Sequence, residues 1–277
     1  MGRILTRGAA WRWAEERIDR LDARLLVQAA AYCRHSDLIA HPEKVLTHEQ
    51  VVWLESLVAR RAGGEPLAYV LGTAGFYGRE FTVTPAVLIP RPETEELVVQ
   101  ALKTLRNISS PRIADLGTGS GVIAITLALE RPDARLLAVD LSPEALAVAT
   151  ENAARLGARV EFRAGDWYSP LAGERYDLLV SNPPYVVHGD PHLDLNGLPF
   201  EPQGALTDGI AGGDGLACIR ALVSGAARHL TPGGWLWFEH GHDQGEMSRN
   251  LLRSAGFKGV LTNTDLAGTE RMSGGQI

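Results

Sequence analysis

Ile113-Ala114-Asp115-Leu116-Gly117-Thr118-Gly119-Ser120-Gly121 is the stretch that decides the fold. Its apolar start reads as a buried strand and Ser120 as the beginning of a helix. The glycines between them let a ligand approach the backbone, and the helix N-terminus offers free N–H groups. Downstream the same alternation repeats. Strand patterns fall at 113–116, 135–140, 160–164, 176–182, 235–240 and 257–262, with helices starting near Ser120, Pro143, Gly215 and Asp243. Such alternation predicts an α/β fold with an open, mostly parallel sheet and helices on both faces.

The loop chemistry narrows the ligand. The spacing is Gly-x-Gly-x-Gly, not the Gly-x-Gly-x-x-Gly of dinucleotide binders. Asp115 suits a cationic ammonium and would repel a phosphate. Asp140, ending the second strand, can accept from both hydroxyls of a ribose, which serves S-adenosylmethionine and NAD alike. After the third strand, Asp166 can accept from an adenine amino group and Trp167 can pack on the ring, although Asp166 could instead cap the next turn.

The fourth strand pattern runs into Asn182-Pro183-Pro184-Tyr185. Two prolines fix φ and remove two N–H groups, making a rigid ledge whose carbonyls can face a ligand. The Asn182 side-chain oxygen and the Pro183 carbonyl can each accept one hydrogen of an NH2 group, and Tyr185 can stack on its flat face. This arrangement suits methylation of a planar, weakly nucleophilic NH2 group. The plainer alternative is a proline turn after a strand.

The N-terminal part is of another kind. Residues 1–64 read as all-helical, with Ala14, Ile18, Leu21, Leu25, Ala29 and Tyr32 on one apolar stripe. Thr47 and Gln50 form a capping box, Leu46 and Val51 a hydrophobic staple, and Gly63-Gly64 a stop. In residues 65–92, Phe76-Tyr77 and Phe81-Thr82-Val83 flank Gly78-Arg79 as a hairpin. Pro90 and Pro92 then lead in extended form to a helix around Glu95, placing this linker against the active site. The expected division is therefore 1–64 helical, 65–92 linker and 93–277 catalytic.

The 277 residues carry a net charge of −6, which disfavours an enzyme that depends on a broad basic surface for nucleic acid. Two cysteines, Cys33 and Cys218, provide no disulfide framework or Cys-based zinc site and fit a reducing cytoplasm. Arg3, Arg7 and Arg12 interrupt any secretory signal, and no apolar run reaches membrane-spanning length. His188, His192 and Asp194 read as a polar loop rather than metal ligands.

Together these residues resemble the HemK/PrmC family of protein-(glutamine-N5) methyltransferases acting on release factors. The resemblance rests on 64–69 (Gly-Glu-Pro-Leu-Ala-Tyr), 88–95 (Leu-Ile-Pro-Arg-Pro-Glu-Thr-Glu), the glycine loop and Asn182-Pro183-Pro184-Tyr185, with Phe200-Glu201-Pro202 and Glu239-His240-Gly241. It implies a class I S-adenosylmethionine-dependent methyltransferase with a seven-stranded sheet, a helical substrate-docking domain and a hairpin linker. The implied acceptor is the glutamine of a Gly-Gly-Gln loop in class 1 peptide chain release factors, with no metal, nucleic acid or membrane partner. By position, Asp115, Gly117, Thr118, Gly119, Ser120, Gly121, Asp140, Asp166, Trp167 and Asn182 would contact the cofactor. Asn182, Pro183, Pro184 and Tyr185 would hold the glutamine.

Rival readings are an adenine-N6 methyltransferase on DNA or RNA, an NAD-dependent oxidoreductase and a non-catalytic binder of release factors or the ribosome. The acidic charge disfavours the first, and the glycine spacing and Asn182–Tyr185 run the second. The chain departs from the family pattern after Arg271, so the last strand is expected to be short or frayed. Gly274-Gly275-Gln276 repeats the Gly-Gly-Gln of the implied substrate. It reads as coincidence or, more sharply, as a tail that mimics substrate in a neighbouring molecule.

Overall fold

A computed structural model describes residues 5–265 and 267–277; residues 1–4 of the expected helical unit lie outside it. The chain forms two compact units. One contains the chain up to Thr73 together with Asp194–Phe200, and the other contains Ala74–Leu193 and Glu201–Ile277.

The first unit is built from α1 (Arg7–Glu15), α2 (Arg20–Ala30), α3 (His35–Ala40), α4 (His48–Ala62) and α5 (Leu67–Leu71). The capping box forms at α4: Gln50 N donates to Thr47 Oγ1 at 3.2 Å, and Thr47 N to Gln50 Oε1 at 2.9 Å. Leu46 and Val51 are buried in one cluster, and Gly63 is the C-cap. The expected stripe from Ala14 to Tyr32 does not form. Asp19 starts a new helix by accepting from Leu21 N at 2.7 Å, which resets the helical phase. The buried face of α2 is Ala23, Leu26, Val27 and Ala30, while Leu21 and Tyr32 are exposed.

A hairpin of β1 (Thr73–Phe76) and β2 (Arg79–Thr82) turns through Tyr77 and Gly78, both at positive φ. Next comes α6 (Thr94–Leu105). The alternating part follows as β3 (Arg112–Leu116), α7 (Val122–Glu130), β4 (Arg135–Asp140), α8 (Pro143–Leu156), β5 (Val160–Ala164) and β6 (Tyr176–Ser181). It continues with α9 (Gln203–Leu206), α10 (Ala217–His229), β7 (Leu230–Glu239), α11 (Gly245–Ser254), β8 (Lys258–Thr264) and β9 (Glu270–Gln276).

The seven-stranded sheet has the order β5-β4-β3-β6-β7-β9-β8. Its first five strands run parallel, and β9 is antiparallel to both β7 and β8. Alternate residues feed opposite cores, as expected of strands buried on both faces. Leu178, Val180 and Trp237 join one cluster with Leu97, Leu105 and Ile125; Leu179, Leu236 and Phe238 join the other with Leu137 and Leu222. Chain direction across the sheet reverses between β3 and β6, so both sequence motifs emerge side by side at the switch point, where open α/β sheets bind ligands.

The last strand is neither short nor frayed. β9 is inserted between β7 and β8, with Gly274 opposite Trp237 and Gly275 opposite Leu236. Trp235 and Trp237 stack at 5.6 Å, and a Cβ at Gly274 would overlap the Trp237 indole. Gln276 Nε2 donates to the Gly233 carbonyl at 2.8 Å. The Gly-Gly-Gln run thus serves the sheet: Gly274 fits against Trp237, Gly275 against Phe257 and Val260, and the run is held as a strand rather than as a loose substrate mimic.

Candidate active site

The glycine loop leaves β3 and turns back over β4, with Gly117 N and Thr118 N both donating to the Val139 carbonyl at 2.8 and 2.9 Å. Gly119 has φ +57, and a Cβ there would meet nothing within 4 Å. Its N–H instead donates to Asp140 Oδ2 at 2.8 Å, while Ser142 N donates to Asp140 Oδ1 at 2.9 Å. Those two bonds clamp the carboxylate against the cavity wall and leave lone pairs on both oxygens.

A cavity of about 470 Å³ opens beside this loop, within the range of small-molecule sites. Gly117, Thr118, Gly119, Ser120, Asp140, Asp166, Trp167, Asn182 and Pro184 lie on its wall. So do Leu88, Pro90 and Arg91 of the linker and Pro202 beyond. Trp167 holds φ +42, an uncommon conformation for an aromatic residue, and sits over Gly117 at 3.9 Å from where a Cβ would be.

Four expected residues are placed otherwise. Asp115 is completely buried beneath the loop, away from the cavity wall. Its Oδ2 accepts from Thr118 Oγ1 at 2.6 Å and from Ala124 N at 3.2 Å, and its Oδ1 has no partner. Burial pushes its pKa up to about 7, against the two hydrogen bonds and helped by Asp140. Asp115 thus braces the loop from within. Pro183 is buried, and Tyr185 is turned to the core, so neither forms part of the cavity wall. Gly121 is also off the wall: a Cβ there would strike Ile125 and Ala149, so it serves close helix packing.

The acceptor motif is held by a network that sequence reasoning missed. Asn182 Nδ2 donates to Thr94 Oγ1 at 3.2 Å, Thr94 Oγ1 donates to Glu239 Oε2 at 2.7 Å, and the Tyr185 hydroxyl donates to Glu239 Oε1 at 2.9 Å. Burial raises the Glu239 pKa; the Thr94 and Tyr185 hydroxyls and Arg271 oppose this, and Glu93 adds to it. Burial likewise raises the Tyr185 phenol, with Glu239 adding to the shift. One signal was available: a single carboxylate closes the run Trp235-Leu236-Trp237-Phe238. A second missed pair is Arg91 and Glu201, joined at 2.6 Å, where Glu201 Oε2 also accepts from Ile89 N at 3.0 Å. It fastens the linker to the Pro202 side of the cavity.

The wall fits S-adenosylmethionine. Asp140 can take a ribose diol, Trp167 and Leu141 offer apolar surface for a base, and the bare backbone at Gly119 leaves room for a chain. Among the described residues no group of three His, Cys, Asp or Glu gathers as metal ligands. His192 instead pairs with Asp190 at 2.8 Å.

The likenesses agree with this chemistry. Residues 9–72 match the family described as PrmC N-terminal domain, and residues 94–196 match the methyltransferase small domain. A release factor glutamine methyltransferase from Bordetella pertussis is 50% identical over 95% of this chain and 97% of its own length. Its counterpart from Salmonella typhimurium is 41% identical over 96% and 98%. Among solved structures, a Pyrococcus furiosus methyltransferase superposes with a TM-score of 0.53 at 17% identity, covering 79% of this chain and 95% of that one. An Agrobacterium tumefaciens SAM-dependent methyltransferase gives 0.51 at 16%, covering 74% and 69%. These two structures share the fold.

Proposed function

The chain belongs to the release factor glutamine methyltransferase family, and we propose that it methylates the side-chain amide nitrogen of the Gly-Gly-Gln glutamine in class 1 release factors. The observation that carries this reading is the juxtaposition of Asn182, anchored by Thr94, with the Gly119–Asp140 clamp on one cavity wall.

Bound in the cavity, S-adenosylmethionine supplies an activated sulfonium methyl. Asp140 holds its ribose, Trp167 and Asp166 its adenine, and the 117–120 backbone its amino-acid portion. The difficulty lies in the acceptor, because an amide nitrogen shares its lone pair with its carbonyl. Asn182 Oδ1, on the cavity wall, accepts one of the two N–H bonds, favours a pyramidal nitrogen and aims its lone pair. Positioning and an acceptor directed at the developing positive charge together supply the rate, and the surplus amide proton leaves late, to water. Tyr185, tethered to Glu239, keeps the Pro183-Pro184 ledge in place.

The helical unit, expected at 1–64, is assigned to docking of the release factor, and 93–277 to chemistry. Because release factors work on the ribosome, the enzyme acts in the cytoplasm. No described helix is long and apolar enough to cross a membrane. The decisive experiment offers labelled S-adenosylmethionine with release factor, DNA or tRNA. Label on the glutamine of the factor supports the reading; label on adenine instead establishes the nucleic-acid alternative.

A further inference from the structure

We propose that Glu239 fixes the hydrogen-bond polarity of the acceptor site, so that the site takes a neutral amide and rejects a carboxylate. The inference deepens the function above and rests on Asn182 being the group that grips the acceptor.

The argument follows the protons. In its ionised form, which the Thr94 and Tyr185 hydroxyls donating to both its oxygens favour against burial, Glu239 only accepts hydrogen bonds, and a threonine hydroxyl has one proton to give. Glu239 Oε2 takes that proton from Thr94 at 2.7 Å, and Oε1 takes the proton of Tyr185 at 2.9 Å. Thr94 Oγ1 is left able only to accept on its other side. Asn182 must then present its NH2 to Thr94, as it does at 3.2 Å, and its carbonyl Oδ1 is left for the ligand. A glutamine acceptor meets that oxygen with N–H. A glutamate acceptor would meet it with oxygen. Thr94 and Glu239 are positioning residues here: Glu239 is almost completely buried and acts through Thr94.

The test measures preference rather than rate. Enzyme loaded with S-adenosylhomocysteine is titrated calorimetrically with release factor and with the same factor carrying glutamate at the acceptor position. Wild type should favour glutamine by about tenfold or more, since a site built for N–H rejects a ligand lacking it. Thr94→Val keeps the volume but removes the acceptor, and Glu239→Leu frees the Thr94 proton to point at Asn182. Each should lower the preference to about twofold or less, and Thr94→Ser should restore it. Thermal unfolding and cofactor affinity confirm that each variant is folded; should Glu239→Leu not fold, Thr94→Val decides. A folded Thr94→Val enzyme that keeps the wild-type preference overturns the proposal. Equal binding of the two factors by wild type overturns it as well, whereas normal transfer by Asn182→Ala would instead overturn the underlying reading of Asn182.

Discussion

The Ser181 hydroxyl donates to the Leu116 carbonyl at 2.6 Å, joining the last residue of β6 to the last residue of β3. One buried bond thereby couples the strand that delivers Asn182 to the strand that delivers the glycine loop. Ser181→Ala should cost about 1–3 kcal/mol of stability. It should also weaken cofactor affinity and turnover together, because both loops lose the same tie. Thermal denaturation paired with calorimetry and single-turnover rates would reveal a loss confined to one loop, which this coupling does not allow.

Asn182→Ala should reduce transfer by about a hundredfold or more, the scale on which a charge-stabilising contact is lost. Cofactor affinity should change little, since Asp140 and the glycine loop stay in place. A near-normal single-turnover rate would rule out Asn182 as the acceptor grip.

Asp140→Ala should act on the cofactor instead. The carboxylate faces the cavity and also clamps Gly119 N and Ser142 N, so its loss removes the ribose acceptor and loosens the loop. Calorimetry should show S-adenosylmethionine binding weakened by roughly tenfold to a hundredfold, in line with one or two charge-assisted hydrogen bonds. Unchanged affinity would contradict the assignment.

Asp115 predicts a pH dependence. Its folded pKa of about 7 lies above that of an unfolded aspartate, near ~4. The folded state therefore holds the proton more tightly. The stability this confers is complete below pH ~4 and is lost as pH rises through about 7. Glu239, also raised, acts in the same direction. Asp115→Asn removes the ionisation, so its Tm relative to wild type should climb between pH 5 and pH 8. A difference independent of pH would mean that Asp115 ionises as freely when folded as when unfolded.

Gly274→Ala should destabilise the protein by about 1–3 kcal/mol through overpacking, because the added methyl overlaps the Trp237 indole. Deleting residues 273–277 should be far worse, since it takes most of a strand from the interior of the sheet. Circular dichroism melting reads both, and a truncated chain that melts like the wild type would disprove the structural role of this run.

Much of the fold could be read from local pattern. The strands at 135–140 and 160–164 were legible because apolar runs bounded by turns carry their own signal. The cavity wall followed in part, since Gly119, Asp140 and Asn182 each end or follow such a run. What stayed hidden depended on distant partners. Thr94 and Glu239 are 145 positions apart, and nothing near Thr94 shows that its proton belongs to a carboxylate on β7. Asp115 sat in the right loop, but only the three-dimensional turn reveals that Thr118 and Ala124 already claim it. The face of α2 was misread because an Asp19 cap shifts the helical phase without disturbing the hydrophobic count. β9 was expected to be short or frayed because Arg-Met-Ser-Gly-Gly-Gln has little strand character of its own; its place is set by two tryptophans on the neighbouring strand.

The insertion of β9 between β7 and β8 also orders events during folding. β7 and β8 precede β9 in the chain, yet they are not neighbours in the finished sheet. Until β9 inserts, β7 presents an open edge carrying Trp235 and Trp237, with the Gly274 position beside them unfilled. Unpaired edges with apolar side chains invite pairing with other chains. The folding chain is thus most exposed to misassembly after β7 has packed and before β9 inserts beside it. Refolding yield should therefore fall as protein concentration rises, as association through the open β7 edge competes with that insertion.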